Sequence, residues 1–398
     1  MRGGATRRIA HKLGLLRGPE RFEVMARLAR EGPAPLVPRR EGITKSEPLR
    51  IAVLIPDFHR GSGGLSTILA LVRGLTAKGH DCSLWFEDPR RRSLEGAADV
   101  KKRLTDYFGP IEVAVHVSFE SWQSADVVVA TGWETVARAL LLPGCTGRAY
   151  LVQDYEPDFF PASAERRWAE ESYRQGLSHV TAGPWLAQML RERFGAIATH
   201  LDLGVDHDTY RPRPVVRCED TVVFYARRST PRRAVPLGLL ALAELHRRRN
   251  NLQLVLFGEE HPFRTSFPYR HAGILPEPEL AEMYSEATVG VSLSLTNYSR
   301  VSQEMMACGL PCVELDTPSV RAALGGEDVV TLAPFDPVEL AAAIERLLED
   351  RGLRELRSET ARQIVAGRTW ERAAAQFEKS LRGAVAEDPD ATPTGNRR

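Results

Sequence analysis

LRIAVLIPDFHRGSGGLSTILALVRGLTAKG, residues 49–79, decides the fold. Its first eight residues form a near-continuous apolar run, the character of a parallel strand buried on both faces. A polar, glycine-rich turn follows, and then Leu65, Ile68, Leu69, Val72 and Leu75 fall at helical spacing. Strand, turn and helix in that order make the unit of a doubly wound sheet, and the unit repeats outward. Further strands are expected at 82–87, 111–117, 125–131, 148–153 and 179–183. A turn-rich stretch, GVDHDTYRPRPVVRCED (204–220), interrupts the pattern. It restarts with strands at 221–226, 252–258, 288–295 and 311–315 and a helix at 235–249. The reading is an α/β chain of two Rossmann-like domains, 49–209 and 210–369, facing each other across a cleft at their strand C-terminal ends.

Composition agrees. A chain of 398 residues exceeds one ordinary core, and 43% hydrophobic with 26% charged residues is globular. Lys and Arg number 53 against 52 Asp and Glu, so the basic surplus that a general nucleic-acid binder needs is missing. No apolar run approaches a membrane span, and five scattered cysteines show neither a C-x-x-C pair nor zinc spacing. A soluble, reduced, cytoplasmic protein is expected.

Charge is uneven, however. Residues 1–50 hold twelve Lys or Arg against five Glu, a net of +7, which leaves −6 on the rest. Phe22, Val24, Met25, Leu28 and Ala29 trace a short amphipathic helix there. The extension 1–48 either holds the protein peripherally against anionic lipid or packs on the body as an ordinary extension. Residues 386–398, AEDPDATPTGNRR, have no apolar period and read as a disordered tail.

Three turns carry chemistry. Gly61, Gly63 and Gly64 open the first helix, where bare backbone N–H groups can approach a phosphate or a sugar hydroxyl, or simply make a tight turn. The spacing is not the GxGxxG of a dinucleotide site, although Glu87 occupies the ribose-carboxylate position. In the second domain Arg227, Arg228, Arg232 and Arg233 follow the first strand directly. Four guanidiniums so close repel one another unless an anion sits among them or water screens them, and they suit a diphosphate. The third turn, Thr296, Asn297, Tyr298, Ser299, Arg300 and Val301, leads into a helix whose unpaired N–H groups favour an anion. Glu304 on that helix can accept from ribose hydroxyls or merely favour the helix N-terminus. Trp133, Asp154 and Glu156 follow strand ends of the first sheet and so face the cleft, where the two carboxylates either bind hydroxyls of a ligand or cap loops.

Together these residues resemble the retaining GT-B glycosyltransferases over roughly residues 50–385. Gly63-Gly64 matches that family's N-terminal glycine loop. Arg227 and Arg232 match its Arg-x4-Lys clamp, with Arg for Lys. EMMACGLP places Glu304 as the second Glu of its Glu-x7-Glu element. LGVDHDTYRP looks like the interdomain linker, and Trp370-Glu371 like the start of the helix, here 370–385, that crosses back to the first domain. The resemblance implies a nucleotide-diphosphate sugar as donor, with Gly63, Gly64, Arg228, Arg233, Thr296, Asn297, Tyr298, Ser299, Arg300, Val301 and Glu304 around it. Arg227 and Arg232 then neutralise the leaving diphosphate, with no metal and no separate cofactor. One departure matters: the first Glu is Thr296, which puts glucose-type donors in doubt. With VQDYEPDFFP and YARRSTPRR, that change is similar to a subgroup including bacterial rhamnosyltransferases that use dTDP-L-rhamnose.

The expected activity is transfer of a sugar, L-rhamnose by preference, to a growing cell-surface glycan or lipid-linked acceptor. Rivals are an NAD-dependent oxidoreductase, a catalytically inactive sugar-binding relative, and a nucleotide-sugar epimerase. Asp206-His207-Asp208 spells a metal-binding DxD but falls in the interdomain turn, and His59, His116 and His179 lie one per segment as ordinary histidines.

Overall fold

The computed structural model describes residues 20–38, 47–86 and 96–386. Two wholly parallel sheets appear, with strand orders β3-β2-β1-β4-β5-β6-β7 and β10-β9-β8-β11-β12-β13. The first comprises β1 Arg50–Ile55, β2 Asp81–Phe86, β3 Ala114–Val117, β4 Ala125–Ala130, β5 Cys145–Val152, β6 Ser178–Ala182 and β7 Ala198–Leu201. The second comprises β8 Thr221–Tyr225, β9 Gln253–Phe257, β10 Arg270–Gly273, β11 Val289–Val291, β12 Cys312–Leu315 and β13 Thr331–Ala333. Both are doubly wound: chain order reverses beside β1 in one and beside β8 in the other, and such switch points place ligands at strand C-terminal ends. Strands β4 and β5 are buried along their whole length, as their apolar runs require.

Several boundaries differ from the sequence reading. The strand at 111–117 begins only at Ala114, and that at 288–295 is cut to Val289–Val291 because the chain leaves the sheet to build the site. β7, β10 and β13 were not anticipated. The final helix runs to Ala386, taking the first residue assigned to the tail; residues 387–398, Glu87 and residues 1–19 and 39–46 lie outside the described residues.

The extension is partly structure of the first domain. Helix Glu20–Glu31 lies against helix Trp133–Leu141, and Phe22 meets the Trp168 ring at 4.8 Å. The Ala34 N–H donates to the Leu140 carbonyl, while buried Arg148 donates to the Ala34 carbonyl. Residues 20–38 therefore pack as part of the first domain.

Helix Trp370–Ala386 leaves the second domain and lies across the first, against helix Gly63–Ala77 and β5. Glycines make room for it. A Cβ on Gly74 would stand 2.4 Å from Ala374 Cβ, and one on Gly204 would stand 2.6 Å from the Trp370 amide nitrogen. The Val205 N–H donates to the Arg368 carbonyl at 3.0 Å, closing the same crossing.

Candidate active site

A cleft of about 2040 Å³ separates the two sheets, larger than the roughly 300–1,000 Å³ of an ordinary ligand pocket. Among the helices that begin on it are Gly63–Ala77, Trp133–Leu141 and Arg300–Ala307. Each presents the positive end of its dipole, because each follows a parallel strand whose C-terminal end faces the cleft.

The two clamp arginines reach across it. Arg227 Nη1 donates to the Gly61 carbonyl at 2.7 Å, and its Nη2 lies 3.3 Å from His59 Nε2. Arg232 Nε lies 2.8 Å from Asp154 Oδ2, and the guanidinium sits 4.3 Å over the Phe159 ring. That contact is an ion pair rather than an aligned hydrogen bond, since the Nε hydrogen has no acceptor on its line. Burial lowers the Arg232 pKa while the Asp154 charge opposes that shift. Arg233 also lines the cleft and donates to Ser294 Oγ at 2.6 Å. Arg228 does not: its guanidinium stacks on Phe263 at 4.3 Å, on the outside of the turn. Arg227 and Arg228 turn to opposite sides, while Arg232 and Arg233 on the short helical turn Pro231–Arg233 both face the cleft, so four arginines in sequence become three there.

The third turn divides in the same way. Tyr298, Ser299, Arg300, Val301 and Glu304 line the cleft. Ser299 caps its helix by accepting from the Val301 N–H, and Arg300 pairs with Glu304 at 2.8 Å. Thr296 and Asn297 do not line it. Thr296 is buried with Oγ1 unpartnered, and Ser319 Oγ donates to its carbonyl. Asn297 instead ties the domains together, its Nδ2 donating to the Gln153 and Ala182 carbonyls at 2.9 and 2.8 Å.

Gly63 and Gly64 line the opposite wall, with Gln153 3.4 Å from where a Gly64 Cβ would be. Trp133, Asp154 and Glu156 line it too. Asp154 Oδ1 accepts from the Tyr155 and Asn297 amides, so the residue caps its own loop and binds the second domain. Glu156 is fully enclosed: the Trp133 N–H donates to its Oε2 at 2.7 Å and the Tyr150 hydroxyl to its Oε1 at 2.8 Å. Burial, with the charge of Glu134 adding to it, raises its pKa to about 8. The Trp133 ring is buried against Phe160 and Trp168.

Elsewhere, Asp206 is engaged as a turn cap, accepting from the Asp208 and Thr209 amides and the Thr209 hydroxyl, and His207 Nε2 faces the Val365 and Arg368 carbonyls. His116 stacks on Trp85 at 4.0 Å, and burial lowers the His179 pKa to about 4. Sequence reading missed Gly61 and His59 as partners of Arg227, Phe159 beneath Arg232, and Gln153, although the runs HRG and VQDYEPDFFP contain them.

Two parallel Rossmann-like sheets, a crossover helix and a cation-bearing cleft define the GT-B class. The comparisons agree. Residues 219–350 match the family described as glycosyl transferases group 1. The chain is 30% identical over 266 residues to the O-antigen biosynthesis protein RfbC of Myxococcus xanthus, covering 65% of this chain but only 21% of that protein. Sucrose-phosphate synthase of Thermosynechococcus elongatus superposes with a TM-score of 0.63 at 17% identity, over 84% of this chain and 98% of the other. Anabaena HepE, solved in complex with UDP-glucose, gives a TM-score of 0.63 at 15% identity, over 85% and 99%. At such identities the likeness is one of fold. Together these matches give the chain the GT-B fold, with a glycosyl transferases group 1 match over its second domain.

Proposed function

We propose that the chain transfers a sugar, with retention and without a metal ion, from a nucleotide-diphosphate donor to a glycan or lipid-linked acceptor of a cell-surface polysaccharide. The observation that carries this reading is the convergence of Arg227 and Arg232 on one cleft, beside the N-terminal ends of helices 63–77 and 300–307. As the bond between sugar and diphosphate breaks, charge gathers on the leaving phosphate. Guanidiniums already in place stabilise that state more than the ground state, the work a metal ion does in other transferases. Asp154 offers its carboxylate to the acceptor at the cleft wall. The relative with an O-antigen name supports the surface-polysaccharide assignment.

The donor we favour is dTDP-L-rhamnose. Thr296 stands where the resemblance puts a carboxylate for glucose-type sugars, and it is buried off the cleft wall. A cytoplasmic location belongs to the same proposal. Peripheral membrane contact is assigned to the extension 1–48, since residues 1–50 carry twelve basic residues against five acidic ones. Among the described residues no helix is long and apolar enough to cross a membrane.

The test is to incubate the purified protein with dTDP-L-rhamnose, UDP-glucose and GDP-mannose, with and without EDTA, and follow nucleoside diphosphate release with a surface-glycan acceptor extract. Release from dTDP-L-rhamnose that EDTA leaves unchanged, with an anomeric proton matching the donor's configuration, supports every part. Loss of turnover with EDTA and return with Mn²⁺ removes the metal-free account, and a preference for another donor removes rhamnose.

A further inference from the structure

We infer that Asp154 is the internal occupant of the phosphate site: it holds Arg232 in place while the cleft is empty and is displaced by the donor diphosphate. This rests on the reading that Arg232 grips that diphosphate.

Asp154 and Arg232 belong to opposite domains, and the carboxylate reaches the second domain with both oxygens. Oδ2 lies 2.8 Å from Arg232 Nε, and Oδ1 accepts from the Asn297 main-chain N–H at 3.0 Å. A guanidinium and a main-chain amide near a helix start are the two kinds of donor that phosphate oxygens take. One carboxylate therefore copies, within the chain, what a phosphate does between the domains.

The copy is incomplete. The Nε hydrogen of Arg232 is not aligned on Asp154, and the Arg232 side chain, which lines the cleft, keeps 29% of its surface exposed while Phe159 supports one face of the guanidinium. A single carboxylate charge also competes poorly with a diphosphate, which offers more charge and more oxygens to the same fork of donors. The pair thus prevents two like problems in the empty cleft, a half-buried cation and a buried anion each without a partner, and yields when the stronger anion arrives.

Displacement leaves Asp154 buried beside Glu156 and Trp133 with one oxygen unfilled. A hydroxyl of a polyhydroxylated acceptor can satisfy it. The same carboxylate thereby links the donor side to the acceptor side: phosphate binding frees the group that the acceptor then uses.

The test is calorimetric titration of the full chain with dTDP, comparing wild type with Asp154→Asn and Arg232→Ala. Asp154→Asn is expected to bind dTDP about three- to tenfold more tightly, because the competitor for Arg232 has lost its charge. Equal or weaker binding by Asp154→Asn overturns the inference. Arg232→Ala separates the two levels. If it binds dTDP as tightly as wild type, the phosphate reading itself is wrong; if it binds more weakly while Asp154→Asn shows no gain, only the displacement is wrong. Should Asp154→Asn not fold, Asp154→Ser takes its place, keeping a hydroxyl for the Tyr155 and Asn297 amides while removing the charge, and the same gain is required of it.

Discussion

Glu156 Oε2 accepts the Trp133 main-chain N–H at 2.7 Å, so a buried carboxyl fixes the first turn of helix Trp133–Leu141. Burial and the nearby Glu134 charge hold that carboxyl's pKa near 8, against an ordinary value of 4.5. The native state therefore binds a proton that the unfolded state has released between those two values. Stability from this group falls as pH rises through that window. Glu156→Gln mimics the neutral form. It is expected to match wild type at pH 4.5 and to exceed it by at least about 1 kcal/mol at pH 8, roughly 2 °C in Tm. Calorimetric melting at the two pH values checks this; a Tm equal to or below wild type at pH 8 contradicts it.

Arg227→Ala and Arg232→Ala are each expected to lower kcat by roughly tenfold to a thousandfold, the range for a lost transition-state donor. Arg228→Ala is the control. Its guanidinium lies on Phe263 outside the cleft, so turnover should stay within about twofold. Initial rates under donor saturation measure all three, and equal losses across them would dissolve the distinction drawn between cleft and surface.

Gly204 leaves no room for a side chain, since a Cβ would stand 2.6 Å from the Trp370 amide nitrogen and 2.7 Å from its ring. Gly204→Ala is expected to cost about 1–3 kcal/mol by overpacking and to loosen the crossover helix. Thermal melting together with limited proteolysis near residue 370 reads both effects; a variant as stable and as resistant as wild type would refute the close approach.

Much of this architecture is legible because continuous apolar runs have few interpretations. Ile51–Ile55 and Ala125–Ala130 could hardly be anything but buried parallel strands. β7 and β10 were not legible for the opposite reason. Both sit at sheet edges, and Thr199 and His200 or Arg270 and His271 are tolerated there because each strand has a neighbour on one side alone. In the site, Arg227 and Arg232 stand out because clustered guanidiniums need a partner. What a sequence does not carry is direction: Arg228 differs from Arg227 only in the side to which the chain turns it, and Thr296 differs from Tyr298 likewise. The pairing of Asp154 with Arg232 joins residues far apart in the chain, so only the closed arrangement of the domains reveals it.

The central claim is that Arg227 and Arg232 receive a nucleotide diphosphate inside the interdomain cleft. A crystal structure of the protein grown with dTDP measures this most directly. The account predicts diphosphate oxygens about 3 Å from both guanidiniums, with the nucleoside lying toward Glu304. Diphosphate density elsewhere, with Arg227 still on Gly61 and Arg232 still on Asp154, would contradict it.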